Sequence, residues 1–213
     1  DVDTIHVIFP IRATAEIPLE VKVIEGGGLK VSDVEVKLDT PSIMVAGGQE
    51  AVDALADLGA ITLTTIDLAT LSDELAENGG EMTIPLPLAD ELENVSGVTE
   101  VTVTLKILKR VETREFEIRA DRISASGAPE GWQADTVTQV LKVKVRGTAA
   151  LLDELELTEE SIWAVADLRE VKEAAGNYTV PASIYLNSAG SVGDVGVVNP
   201  RDYTVVVSLS WGS

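Results

Sequence analysis

The chain has no cysteine, a single histidine and very few aromatic residues, 4% of its 213 positions. Without cysteine there is no disulfide, no thiolate metal site and no cysteine nucleophile. The compartment stays open, because exported bacterial proteins also do without cysteine. Scarce aromatics leave Val, Leu, Ile and Ala to build the cores, and β-branched side chains fit the pleat of a strand. Basic residues are scarce too: 16 Lys and Arg face 36 Asp and Glu, a formal net charge of -20. A field of that sign repels phosphate backbones and anionic headgroups, which excludes nucleic acid and leaves membrane contact to a separate anchor.

No run reaches the ~18 to 20 apolar residues needed to span a bilayer. The first residue is Asp1 rather than Met, so the chain is expected to be a fragment or processed form of a longer product with any signal or anchor upstream.

A hydrophobic share of 45% is enough for one large domain or two small ones, and self-similarity decides between them. VAGGQEAVDAL at 45 to 55 answers VRGTAALLDEL at 145 to 155, with Val45, Gly47, Asp53 and Leu55 falling on Val145, Gly147, Asp153 and Leu155. Asp67 and Leu68 fall on Asp167 and Leu168, TAEIPLEV at 14 to 21 on TREFEIRA at 113 to 120, and MTIPLPL at 82 to 88 on YTVPASI at 178 to 184. VTVTL and VVVSL close the two copies. The period suits a small domain rather than a solenoid turn. The expected organisation is a lead-in over residues 1–13, a first copy over 14–108 and a second over 109–213. Within the lead-in, Ile5, Val7 and Phe9 alternate as an extra strand would.

Most segments have a period of two. Ile17, Leu19, Val21 and Val23 alternate with polar neighbours, as do Val101, Val103, Leu105 and Ile107, and Leu141, Val143 and Val145 with Lys142, Lys144 and Arg146. That pattern predicts half-buried, largely antiparallel or mixed sheets with one face in water. Gly47 and Gly147 are expected to permit a sharp exit from a strand into a short helix, with Thr148 as N-cap and Leu152 and Leu155 facing the sheet. Pro85 and Pro181, each inside a strand-like run, predict an edge strand in both copies. LKRVETRE at 108 to 115 contains no Gly or Pro and is read as a stiff joint.

Candidate chemistry is thin. His6 stands alone in the lead-in, so neither a His-rich zinc site nor a convincing triad can be assembled. The acidic groups Asp90, Glu91, Glu93 and Asp153, Glu154, Glu156, Glu159, Glu160 lack the ladder of a calcium loop and read as solvated faces. Trp132, Trp163 and Trp211 are too scattered for a glycosidase cleft. EGGGLK at 25 to 30 lacks P-loop spacing and reads as a flexible turn. Asp67 and Asp167 are expected to open turns as N-caps or Asx-turns. No catalytic, cofactor-binding or metal residue is assigned, and no cofactor is expected. The structural assignments are Gly47, Gly147, Asp67, Asp167, Pro85 and Pro181.

The whole grammar, an alternating strand ending in V-x-G, a short helix, an Asp-Leu turn, a T-[IV]-P strand and a closing V-x-V strand, resembles that of YbbR-like domains over nearly all of residues 14 to 210. GNYTVPASI (176 to 184), DYTVVVSL (202 to 209) and DTPSIMVAGG (39 to 48) carry the resemblance most closely. Copy two has no counterpart of Pro41, and copy one none of Asn199-Pro200. The resemblance implies a mainly β fold of two tandem, small, elongated domains with one or two short helices each, similar to the C-terminal domain of ribosomal L25-type proteins. It also implies a non-catalytic, extracytoplasmic regulatory module, anchored by an N-terminal membrane helix outside this chain, with the membrane-bound diadenylate cyclase as partner and cyclic di-AMP synthesis as the regulated step. The alternative is a passive cell-surface stalk or adhesin-like spacer.

Overall fold

The structure, a computed structural model, describes residues 12–157, 161–172, 174–187 and 193–212. The expected lead-in strand, His6, and Glu159 and Glu160 lie outside these residues. In chain order the first half forms β1 (Ala13–Ile24), β2 (Val34–Leu38), β3 (Ser42–Gly47), α1 (Gln49–Asp57), β4 (Ile61–Asp67), α2 (Asp73–Asn78), β5 (Gly80–Pro85), β6 (Leu92–Asn94) and β7 (Glu100–Ile107). The second half forms β8 (Glu112–Arg119), β9 (Ile123–Ser126), β10 (Trp132–Thr136), β11 (Val140–Gly147), α3 (Ala149–Leu157), β12 (Ile162–Asp167), β13 (Gly176–Leu186), β14 (Val195–Val197) and β15 (Thr204–Trp211). The protein is mainly β, as expected.

Two compact units result. The first takes Asp1–Lys22, Val36–Ile66 and Gly80–Leu105; the second takes Val23–Glu35, Asp67–Gly79 and Lys106–Ser213. Segments 23–35 and 67–79 therefore belong to the second unit, which a single cut between residues 108 and 109 does not anticipate.

In the first unit one sheet has the order β4-β1-β3-β6 and another β2-β7-β5. β1 runs antiparallel to β3, from Ala13 opposite Gly47 to Pro18 opposite Ser42. The inward side chains Ile17, Leu19, Ile43, Val45, Ile61, Leu63 and Val101 form its core. In the second unit the orders are β14-β11-β8 and β10-β15-β13-β12-β9. The arrangement β6-β3-β1 thus recurs as β14-β11-β8, and β2-β7-β5 as β10-β15-β13. Val143, Val145, Leu152, Leu155, Ala164, Ala166, Val205, Val207 and Leu209 are buried together in this second core. Each helix buries its apolar stripe within its own unit, as expected: Leu152 and Leu155 of α3 in the second, and Val52 of α1 in the first. Burying such side chains contributes about 1.5–3 kcal/mol each, which holds a nine-residue helix that would not persist alone.

The two prolines differ in position. β5 is an edge strand, and Leu86 N–H donates to Thr99 O, so the face of Pro85 that lacks a donor points away from β7. β13, by contrast, is central. It pairs with β15 from Gly176 to Pro181 and with β12 from Ala182 to Leu186. Ala182 N–H donates to Tyr203 O; alternation then turns the missing donor of Pro181 toward the β12 side, where pairing has not begun. The edge expectation is corrected for Pro181: a proline is tolerated inside a sheet where the strand changes partners.

Gly47 and Gly147 need correction too. Neither has a left-handed φ, so neither is required for a sharp turn. A Cβ on Gly47 would lie 2.8 Å from Leu92 Cδ2 and 3.2 Å from Glu91 O; one on Gly147 would lie 3.2 Å from Val195 Cγ2. They are glycine because the start of the neighbouring antiparallel strand, β6 or β14, approaches that closely. Thr148 does occupy the N-cap position, its carbonyl accepting from Leu151 and Leu152 N–H.

Candidate functional site

The side chain of Arg146 is completely buried in the second unit. Strand alternation puts it with Lys142 and Lys144 on the solvent face, and that expectation fails at this residue. A buried guanidinium keeps its charge and must place its N–H donors on acceptors. Nε donates to Thr113 Oγ1 (3.1 Å), Nη1 to Leu68 O (3.2 Å), and Nη2 to Leu71 O (2.8 Å) and Asp73 Oδ1 (3.3 Å). Burial lowers the Arg146 pKa from its ordinary value, and Asp73 opposes the shift. On Asp73 burial acts to raise the pKa, but hydrogen bonds involving Thr113, Lys144 and Arg146 outweigh it and leave the carboxyl below its usual range.

Residues 67–71 show why these bonds form. Asp67 Oδ1 accepts from Ala69 N–H at 3.0 Å and opens a 3-10 turn over Leu68–Thr70, the Asx-turn expected for it. The turn's outward carbonyls have no helical partner. Arg146 takes those of Leu68 and Leu71, and the N–H of Asn199 takes that of Ala69 at 3.0 Å. Asn199 has φ 49°, in the left-handed region that Asn tolerates better than most residues. With its carbonyls satisfied, the turn can bury Leu68 and Ala69.

EGGGLK sits against the same arginine. Gly26 and Leu29 exchange two backbone hydrogen bonds, at 3.1 and 3.2 Å, around Gly27 (φ 57°) and Gly28 (φ 77°). This is a tight two-residue turn of the I′ kind, and not the flexible loop its composition suggests. A Cβ on Gly28 would overlap the Arg146 carbonyl oxygen, and one on Gly196 would stand 2.5 Å from Gly28 N. Nearby, Asp194 accepts from Lys109 (3.0 Å) and Lys30 (3.1 Å), and those two hydrogen bonds hold its pKa below the usual carboxylate range. The basic residue Lys109 of the LKRVETRE stretch is thus spent on structure.

Asp167 repeats the Asp67 turn, its Oδ1 accepting from Arg169 N–H at 3.1 Å. It also holds the Arg169 side chain, with Nε 2.9 Å from Oδ1. The Arg169 side-chain bond is the main reason its pKa falls to about 2. Asp67 and Asp167 belong to separate turns, and the structure joins them in no common site.

The acidic clusters disperse in the same way. Asp153 and Glu156 meet Arg114 at 2.6 and 3.3 Å, and Glu93 pairs with Arg12. Among the described residues no group of three or more His, Asp or Glu is placed to hold a metal ion. No helix among them is long and apolar enough to cross a membrane. The tryptophans, scattered in sequence, are gathered by pairing: Trp132 stands opposite Trp211 with ring centroids 5.3 Å apart at 87°, and Trp163 stacks on Tyr185 at 5.6 Å and 12°.

No protein-family model matches the chain, and no curated protein matches it. Among solved structures it is similar to a YbbR-like protein from Streptococcus pneumoniae TIGR4, with 13% identity over 96% of this chain and 98% of that one and a TM-score of 0.34. It is also similar to SuR18C from Streptococcus thermophilus, with 20% identity over 49% of this chain and 92% of that one and a TM-score of 0.35. At these superposition scores the likeness adds no weight to the strand orders described above.

Replacing Arg146 by Met strands the Leu68 and Leu71 carbonyls and is expected to destabilise the second unit by about 3 kcal/mol. Asp73→Asn, at a half-exposed carboxyl, is expected to lose about 1 kcal/mol or less. Urea unfolding followed by hydrogen exchange reads both. The Asp167 pKa is lowered, so its ion pair contributes fully above the ordinary value of 3.8 and is lost as pH falls through about 2. Carboxyl NMR titration should place Asp167 near 2, and Arg169→Ala should return it toward 3.8.

Proposed function

We propose that this chain is a non-catalytic, extracytoplasmic protein-interaction module, part of a membrane-anchored regulator of the CdaR type that controls a membrane-bound diadenylate cyclase and with it cyclic di-AMP synthesis. The observation that carries the reading is how the conspicuous polar residues are used. Asp67, Asp167, Arg146 and the Lys30, Lys109 and Asp194 group all serve backbone turns and ion pairs within the described fold. What remains for function is surface, and a surface carried on small β units suits recognition of another protein.

The quoted strand grammar supports the finer part of the reading. The T-[IV]-P run of each copy lies in β5 or β13, antiparallel to the V-x-V run of β7 or β15. In both copies the V-x-G ending pairs antiparallel with a short strand, Gly47 opposite Leu92 and Gly147 opposite Val195. The net charge of -20 fits a module held at a membrane by a separate anchor rather than by its own face.

The test is affinity capture of the full-length protein from membranes of its native host. Co-purification of the diadenylate cyclase, together with an altered cyclic di-AMP level when the gene is deleted, is the expected result. Failure to capture the cyclase, with unaltered nucleotide levels, contradicts the proposal.

A further inference from the structure

Three aromatic residues are exposed among the described residues, Trp163, Tyr185 and Trp211, and the first two lie stacked. Trp163 (37% exposed) and Tyr185 (46% exposed) are cross-strand partners on β12 and β13, with their rings nearly parallel. An exposed Trp–Tyr pair on a sheet face loses the benefit of burial, and a protein with so little aromatic surface area has little reason to leave it in water unless something covers it. The strand order β13-β12-β9 puts Tyr185 on one side of the indole. On its β9 side is an opening of about 400 Å³, lined by Trp163 together with Asp121, Arg122 and Ser124.

The chemistry of that opening is specific. It offers an aromatic wall, held upright by Tyr185, beside a carboxylate acceptor, a guanidinium with several planar donors, and a hydroxyl. Among the described residues Arg122 forms no ion pair with Asp121 or with another carboxylate. A second opening, of about 310 Å³, shares Asp121 and Arg122 but is acidic, with Glu115, Glu117 and Glu156 against Arg119 in the rest of its lining. Each is the size of a small-ligand site, and the one beside Trp163 suffices for a single sugar ring. The local Asp–Arg pair is neutral overall, and the charge of -20 on the whole chain disfavours an anion.

We infer that the Trp163 face, with Asp121, Arg122 and Ser124, is a binding site for a neutral saccharide. A pyranose has one face of C–H groups, slightly positive and apolar, that stacks on the electron-rich face of an indole. Its rim of vicinal hydroxyls donates to Asp121 and to the Ser124 hydroxyl oxygen, whose own proton goes to Ala164 O, and accepts from Arg122. A saccharide uses the flat wall and the polar lip at once, whereas an apolar peptide side chain would leave the Arg122 and Asp121 groups unpaired. The scattering of tryptophans along the sequence conceals this site, because Trp163, Tyr185 and Arg122 meet only through the strand pairing.

The experiment uses the 213-residue chain with cellotriose, maltotriose and chitotriose as probes. At least one should change the tryptophan emission saturably, with a Kd of ~0.1–1 mM. Amide shifts should centre on Ser124, Trp163 and Tyr185. Trp163→Ala is expected to weaken binding at least ~10-fold, Arg122→Ala ~5-fold, and Trp211→Ala not measurably. The amide map in the unmutated protein keeps the test decisive if a variant fails to fold. Absence of saturable binding for all three sugars overturns the inference. So does binding that survives Trp163→Ala, or a decaproline peptide that shifts Trp163 where no sugar does.

Discussion

A positive charge enclosed by protein must find acceptors for its donors or it destabilises the fold around it, and Arg146 meets that demand largely on backbone. Its guanidinium bonds Leu68 O, Leu71 O, Thr113 Oγ1 and Asp73 Oδ1. The interaction works in both directions. The charge is stabilised by carbonyl dipoles, and the carbonyls of a 3-10 turn that would otherwise be orphaned are stabilised by the charge. Only then can Leu68 and Ala69 be buried. The second unit consequently includes residues 67–79, far away in sequence from Arg146.

Close backbone approach is the companion constraint. Gly28 and Gly196 lie where any side chain would overlap a neighbouring main chain, and Gly27 and Gly28 adopt left-handed φ values that let the turn fold tightly there. Lys30 and Lys109 converge on Asp194 in the same unit. A chain carrying 36 acidic and 16 basic residues places several of its scarce cations at such junctions of backbone segments. The proposed role in recognition rests on that use of Lys30, Lys109, Asp194 and Arg146 within the fold.

Much of the fold was legible because period-two alternation and the repeat at an offset of 100 report burial and topology directly. Val101, Val103 and Leu105 face inward as their alternation requires, and α1 and α3 begin at matching places. The Asx-turns at Asp67 and Asp167 were legible for the same reason: they are local. What escaped was non-local. Alternation marks Arg146 as polar-out, and only the apolar Ala46 at the equivalent place in the first copy signals that this end of the strand is covered; Ala46 is indeed buried. The central position of β13, the close strand approaches at Gly47 and Gly147, and the meeting of Trp163 with Tyr185 depend on which strands pair, and a single sequence does not state that.

The membership of residues 23–35 and 67–79 in the second unit is the claim on which this account turns, and native-state hydrogen exchange in increasing denaturant measures it directly. The account predicts that the amides of Leu29, Ala69 and Ala76 open with the same free energy and denaturant dependence as those of Val143 and Val207. If they open instead with Ile43 and Val45, the segments fold with the first unit, and the role given to Arg146 is wrong.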